Sequence, residues 1–311
     1  MRLLPLLSVL GLSALASARC GTRPPSDNIK AHHKYFQDKE DREAKRGVPQ
    51  ADVFDVTIDT YVHVILTNTT GVNTTALPKQ ILEQIDVLNT NYVGTGFQFD
   101  LVNVSYTRNN AWQTITDGTT TEYEVKSSLR RGDYTALNLY FGTIGDGILG
   151  YATFPDNVTP RDFLVDGVVC DPRTLPGGLA PYDLGITAVH EVGHWLNLFH
   201  TFQPGNNDPE IPGCFGHGDY IHDTPAEAYA AFGCPRVRDT CTGVNETSNP
   251  FSIPGTDPIH NFMDYTDDVC LTQFTRGQVV RMQSSWVEER VGYVPGVAGR
   301  GARIARPGTG F

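Results

Sequence analysis

"HEVGHWLNLFH", residues 190–200, decides the fold, because its three histidines can meet at one ion only if the chain changes course between the second and the third. In an α-helix each residue advances about 100°, so His190 and His194 project from one face, about 40° apart. Zinc takes imidazole nitrogens at about 2.0 to 2.1 Å in a tetrahedral shell, and a catalytic site keeps the fourth position for water. Glu191 adjoins the first histidine, where a carboxylate can draw a proton from that water. His200 would point about 80° away from His190 on an unbroken helix. The helix must therefore stop in between, and Asn197 marks the place, since asparagine is second only to glycine in adopting the left-handed conformation. A positive φ at Asn197 is the expectation. Exposed helix histidines without a metal are the bland alternative, and the glutamate beside three histidines at this spacing argues against it.

Around this stretch the chain has 311 residues, 40% hydrophobic and 19% charged, enough to bury a substantial core in one large or two small domains. Residues 3–16, LLPLLSVLGLSALA, form an apolar run after Arg2 that is too short to span a bilayer comfortably, and small residues follow it. A signal peptide over 1–18 and export are expected. Sequons at Asn68, Asn73, Asn103, Asn157 and Asn245 fit a glycosylating secretory route. Six cysteines read as a disulfide inventory for an oxidising compartment. Cys214, Cys234, Cys241 and Cys270 crowd together, which suggests two bridges pinning a loop-rich segment, with the pairing open. Beyond residue 46, 15 Lys and Arg face 30 Asp and Glu, a balance that argues against nucleic acid or an anionic membrane as partner.

Residues 19–46 read as a polar leader or propeptide with no sustained apolar period, and the Lys45-Arg46 pair is either a processing site or an uncut charge run. A catalytic domain is expected over 47–290. "DVFDVTIDTYVHVILTN" reads as a strand pair or one bent strand, "LPKQILEQIDVLNTNYVG" as a helix, and "FQFDLVNVSYT" as a strand. A polar helix around "TTEYEVKSSLRR", the strand "ALNLYFGT" and a short extended "GILGYATFP" follow. These make an α/β layer up to about residue 196, closed by a helix over 182–196. After it come loops rich in Gly, Pro, Asp and Cys, then a last helix in "TRGQVVRMQSSWVEER". Residues 291–311 read as a flexible Gly, Pro and Arg tail. His217, His222 and His260 lie in loops without ligand spacing.

HEVGHWLNLFH together with ILGYATFP, GDYIHDTP, NFMDYTDD and FTRGQ resembles the pappalysin family of metzincin metalloproteases, in particular secreted fungal extracellular metalloproteases, over about residues 50–290. The resemblance implies an α/β (α+β) zincin fold: an upper mixed β-sheet with helices including the active-site helix, and a lower irregular, disulfide-pinned subdomain with a C-terminal helix. It puts zinc on His190, His194 and His200, the general base on Glu191, a methionine floor on Met263 and an intermediate-stabilising tyrosine on Tyr265. Read on their own, Met263 is ordinary core and Tyr265 a packed tyrosine. The family pattern pairs Cys214 with Cys241 and Cys234 with Cys270. Calcium occurs in some relatives, and Asp219 and Asp223 offer oxygen ligands or form a solvated acidic loop. An extended substrate would pair with an edge strand, for which residues 149–155 are the candidate. Cys20, in "RCGT", resembles a cysteine that holds the zinc of a latent precursor; a bridge from Cys20 to Cys170 competes.

The expectation is a secreted, monomeric zinc endopeptidase acting on proteins or peptides. A binding protein on a dead protease scaffold would have lost a ligand or the base, and all four residues are present. A zinc hydrolase of other amides is the third reading.

Overall fold

The structure, a computed structural model, describes residues 20–46, 54–68, 73–145, 147–156, 159–203 and 213–291. The signal peptide, Asn157 and the tail beyond Val291 lie outside these residues. In the described part, a helix α1 (Asp27–Lys45) precedes β1 (Val56–Leu66), α2 (Leu77–Asn91), β2 (Phe97–Arg108), α3 (Thr120–Leu129) and β3 (Leu137–Phe141). Next come β4 (Gly150–Ala152), α4 (Pro160–Val165), β5 (Val168–Cys170), α5 (Ile186–Trp195) and α6 (Arg276–Ser285), which continues as a π-helical turn over Trp286–Arg290.

One five-stranded sheet runs β2-β1-β3-β5-β4. The first four strands are parallel, and β4 closes one edge antiparallel to β5. β1 is a single strand whose register shifts between Thr60 and Tyr61. Alternation sorts its side chains. Val62 and Val64, with Leu139, Phe141 and Val168 of the neighbouring strands, join the main core with α2 and α5. Ile65, Tyr140 and Val169 face a second cluster with Val125 of α3 and Tyr151. α2 packs by Ile81, Ile85 and Leu88, with Tyr92 buried at its end. The sheet thus carries helices on both faces, and the chain after α5 forms the irregular layer bridged by Cys214–Cys241 and Cys234–Cys270.

Three differences from the sequence reading have physical causes. α1 is a regular 19-residue helix where no apolar period stands, because its buried stripe is His33, Phe36 and Gln37, two of them polar. The helix expected over 182–196 begins only at Ile186, since Gly185 takes φ 80°, and it ends at Trp195. α4 and β5 are short, six and three residues, below the length at which periodicity speaks. Thr159 and Asp162 nevertheless form a capping box at the start of α4, a signal present in "TPRD".

Candidate metal centre and active site

α5 is buried along its whole length and places His190 and His194 one turn apart. It closes with Leu196 as its cap, Asn197 at φ 73°, and the Leu198 amide bonded to the Gly193 carbonyl at 2.9 Å. The turn delivers His200 to the other two: His194 Nε2 lies 3.1 Å from His190 Nε2 and 3.0 Å from His200 Nε2. His190 Nδ1 lies 2.6 Å from the Phe262 carbonyl and His194 Nδ1 2.7 Å from the Leu198 carbonyl. A carbonyl can only accept, so each Nδ1 carries the proton and each Nε2 presents a lone pair. Facing lone pairs at this range repel unless a cation lies between them. Two nitrogens of a tetrahedral zinc shell stand about 3.3 Å apart, close to the observed spacing. Burial holds the His194 and His200 imidazoles well below their ordinary value, in the neutral form a metal requires.

Cys20 completes the set. Its sulfur and the three imidazole nitrogens lie within 4.8 Å of one another, the one such His, Cys, Asp and Glu cluster among the described residues. Cys20 and Cys170 are both free thiols, so the bridge between them is not formed. Cys20 Sγ is 3.4 Å from Glu191 Oε2, and the Thr22 hydroxyl donates to the same oxygen at 3.1 Å. Burial pushes the Glu191 carboxyl up to about 8, with those two contacts opposing. The segment reaches this place by pairing with β4: Gly21 N donates to the Gly150 carbonyl at 2.8 Å, and Ala152 N to Thr22 Oγ1 at 2.9 Å. Gly150 must be a glycine, since a Cβ there would stand 2.8 Å from the Glu191 side chain.

Met263 is fully buried beneath α5, and Gly193 admits it: a Cβ at Gly193 would fall 2.5 Å from its sulfur. Tyr265 Oη lies 3.1 Å from His200 Nε2 and 3.4 Å from the Cys20 carbonyl. On one flank of the cluster a small pocket is lined by Tyr182, Ile186, Thr187 and Leu271 beside His190 and Glu191. The acidic loop has structural duties: Asp223 accepts from Thr275 Oγ1 and Gly277 N, both at 2.8 Å, at the start of α6, and Asp219 accepts from Ile221 N at 3.0 Å. His217 stacks on Tyr220 and bonds to Gln37 of α1. Asn68, Asn73, Asn103 and Asn245 are exposed.

Residues far away in sequence hold the end of α5. Arg290 donates to the Trp195 carbonyl from Nε at 3.1 Å and Nη2 at 2.7 Å, and its guanidinium lies 3.6 Å over the Trp195 ring. It also meets Asp166 at 3.3 Å, which takes the Trp195 indole N–H at 3.2 Å. Against burial, Arg290 and Arg130 hold the Asp166 carboxyl below its ordinary value. Nothing local in the sequence marks Arg290 or Asp166.

A zinc-compatible histidine cluster with a buried carboxylate, roofed by the edge strand of a mixed sheet and floored by a methionine, defines a metalloendopeptidase of metzincin fold. The Peptidase_M43 family model, described as pregnancy-associated plasma protein-A, matches residues 137–287. The extracellular metalloprotease of Pyricularia oryzae is 40% identical over 92% of this chain and 94% of its own length. Extracellular metalloprotease 1 of Coccidioides posadasii is 40% identical over 88% and 90%. Among solved structures, mature mirolysin of Tannerella forsythia with a cleaved peptide matches at TM-score 0.59 and 28% identity, over 76% of this chain and 93% of that one. A promirolysin mutant matches at 0.58 and 26%, over 88% and 95%. The chain belongs to the pappalysin-like M43 family of metallopeptidases.

Proposed function

We propose that the protein is a secreted zinc endopeptidase made as a latent precursor. The observation that carries the reading is the meeting of three Nε2 atoms, two of them with lone pairs fixed by the carbonyls at Nδ1, beside the buried Glu191 side chain. His190, His194 and His200 would hold the ion. When bound, zinc supplies Lewis acidity toward a carbonyl oxygen and acidifies a coordinated water. Glu191 takes the proton of the attacking water and returns it to the leaving amine. Tyr265 sits by His200, where its hydroxyl can donate to oxyanion charge as it develops. The carbonyls of Phe262 and Leu198 fix the ring orientation of the first two ligands. Secretion is supported by the extracellular relatives and the apolar N-terminal run.

Residues 19–46 are the leader in this reading. Cys20 would take the fourth ligand position while Thr22 occupies Glu191, so both the metal and the base are blocked together. The matched share of this chain rises from 76% against mature mirolysin to 88% against the promirolysin form, which supports a leader. Lys45 and Arg46 are exposed at the end of α1, where a processing protease could cut. Casein digestion by the leader-free protein should stop on chelation and return with zinc. Digestion that persists after complete zinc removal would refute the zinc reading.

A further inference from the structure

The N-terminal segment crosses the cleft as an extended strand, and its fourth residue has a seat of its own. Cys20 bridges Gly150 in parallel, and Gly21 and Thr22 continue along β4. An exposed sheet edge is where an extended peptide adds its backbone, so these residues lie where substrate would lie. Arg23 follows, and its guanidinium forms an ion pair with Asp117. It rests on Gly118, at φ +77°, where any Cβ would overlap the guanidinium. The seat is rigid from behind. Gly118 N donates to Glu122 Oε2 at 2.7 Å, Thr119 caps α3 by accepting from Glu122 N, and Glu122 is locked to buried Lys126 at 2.8 Å.

The charges around the seat are unequal in their commitments. Glu122 is paired with Lys126, Asp166 with Arg290, and Asp162 is engaged in the cap of α4. Asp117 has its ion pair with Arg23, a residue of the leader. With the leader docked, Asp117 lines a cavity of about 420 Å³ together with Arg23, Tyr123, Tyr134 and Phe154, so departure of the leader would leave its carboxylate facing that space. Arg23 is three residues from Cys20, about 10 Å along an extended chain. The pocket beside Ile186 and Thr187 is lined by Leu149, just before β4, whereas the cavity of the seat is lined by Ala152 and Phe154, at its far end.

We propose that Asp117 and Gly118 form a substrate subsite for an arginine or lysine side chain about three residues from the scissile bond, and that Arg23 occupies it in the precursor as a substrate mimic. This rests on the endopeptidase reading. The test is cleavage-site profiling of a peptide library by the leader-free, zinc-loaded protein, followed by kcat/KM for matched peptides with Arg or Gln at the enriched position. Basic residues should be enriched on one side of the cleavage site, with Arg favoured over Gln roughly three- to tenfold, as befits a partly exposed ion pair. In Asp117→Asn the Arg to Gln ratio should fall to about one, and in Asp117→Lys it should drop below one. A profile without basic enrichment at that distance, or an unchanged ratio in Asp117→Asn, overturns the subsite and leaves Arg23 a tether of the leader only. Failure to cut any peptide would instead refute the endopeptidase reading, so the two failures are distinct.

Discussion

His33 of α1 places its Nε2 2.7 Å from the side-chain oxygen of Asn197, the residue that turns the chain toward the third histidine. The Asn197 amide nitrogen donates to Glu289 at 2.9 Å, so one side chain ties α1, the leader helix of the proposed precursor, and the C-terminal helical turn to the active-site turn. This accounts for asparagine at a position where glycine would serve the backbone alone. A left-handed asparagine costs roughly 1 kcal/mol in backbone strain, which the two hydrogen bonds offset. Asn197→Gly should keep one zinc per chain and lose the leader contact. Expressed as precursor, it should show higher basal casein cleavage than the parent; equal latency would mean that Asn197 does not hold the leader.

The same contact makes leader docking sensitive to acid. Burial first, and then the Arg281 guanidinium 2.9 Å away, hold docked His33 well below its ordinary 6.5. A released leader carries an ordinary histidine, so as pH falls below 6.5 the released state binds a proton that the docked state refuses, and docking weakens. His32, raised by its hydrogen bond to Glu289, adds to docking as pH falls toward 6.5 and contributes no further slope below it. Glu40, raised by burial against the pull of Arg281, opposes His33 closer to the carboxylate range. Precursor activation should therefore be faster at pH 5.5 than at 7.5, and His33→Gln should lose most of that difference. An unchanged pH dependence in His33→Gln would contradict this role.

In the proposed precursor, Cys20→Ser would remove a soft ligand from the metal and leave the Thr22 contact with Glu191 in place. Basal proteolysis of the uncut precursor should rise by about tenfold or more, since a hydroxyl is a far weaker zinc ligand than a thiolate. Unchanged latency would remove Cys20 as the blocking group.

Arg290→Met tests the long-range support of α5. It deletes two hydrogen bonds to the Trp195 carbonyl and leaves Asp166 buried with Arg130 as its remaining cationic partner. Breaking such a pair costs about 3 to 5 kcal/mol, or roughly 6 to 20 °C in Tm for a domain of this size. A shift below about 1 °C in a thermal melt would show that the contact is dispensable.

What the sequence made legible follows from where the information is local. The i, i+4, i+10 spacing of His190, His194 and His200 is a backbone constraint, so it led to the broken helix and to Asn197 without a structure. Helix α2 carried its own apolar period and β2 its alternation, while β1 was legible from its Val, Ile, Thr and Tyr content and β3 as the short, largely apolar run LNLYF. α1 carried no such signal, because two of the three residues in its buried stripe are polar and its partners, Arg281, Asn197 and Glu289, lie more than 150 residues away. Thr22 and Arg23 are likewise unremarkable as sequence, and acquire meaning only when β4 brings them to Glu191 and Asp117. Asp219 and Asp223 read by composition as oxygen ligands or a solvated acidic loop, and the hydrogen bonds of Asp223 at the start of α6 were not legible there.

The most direct test of the central claim combines zinc content and casein turnover on one sample of leader-free Glu191→Ala. The carboxylate is no zinc ligand in this account, so the variant should bind one zinc per chain. Loss of the general base should cut turnover by about 10²- to 10⁴-fold. Turnover near the parent's in the zinc-loaded variant would contradict the account.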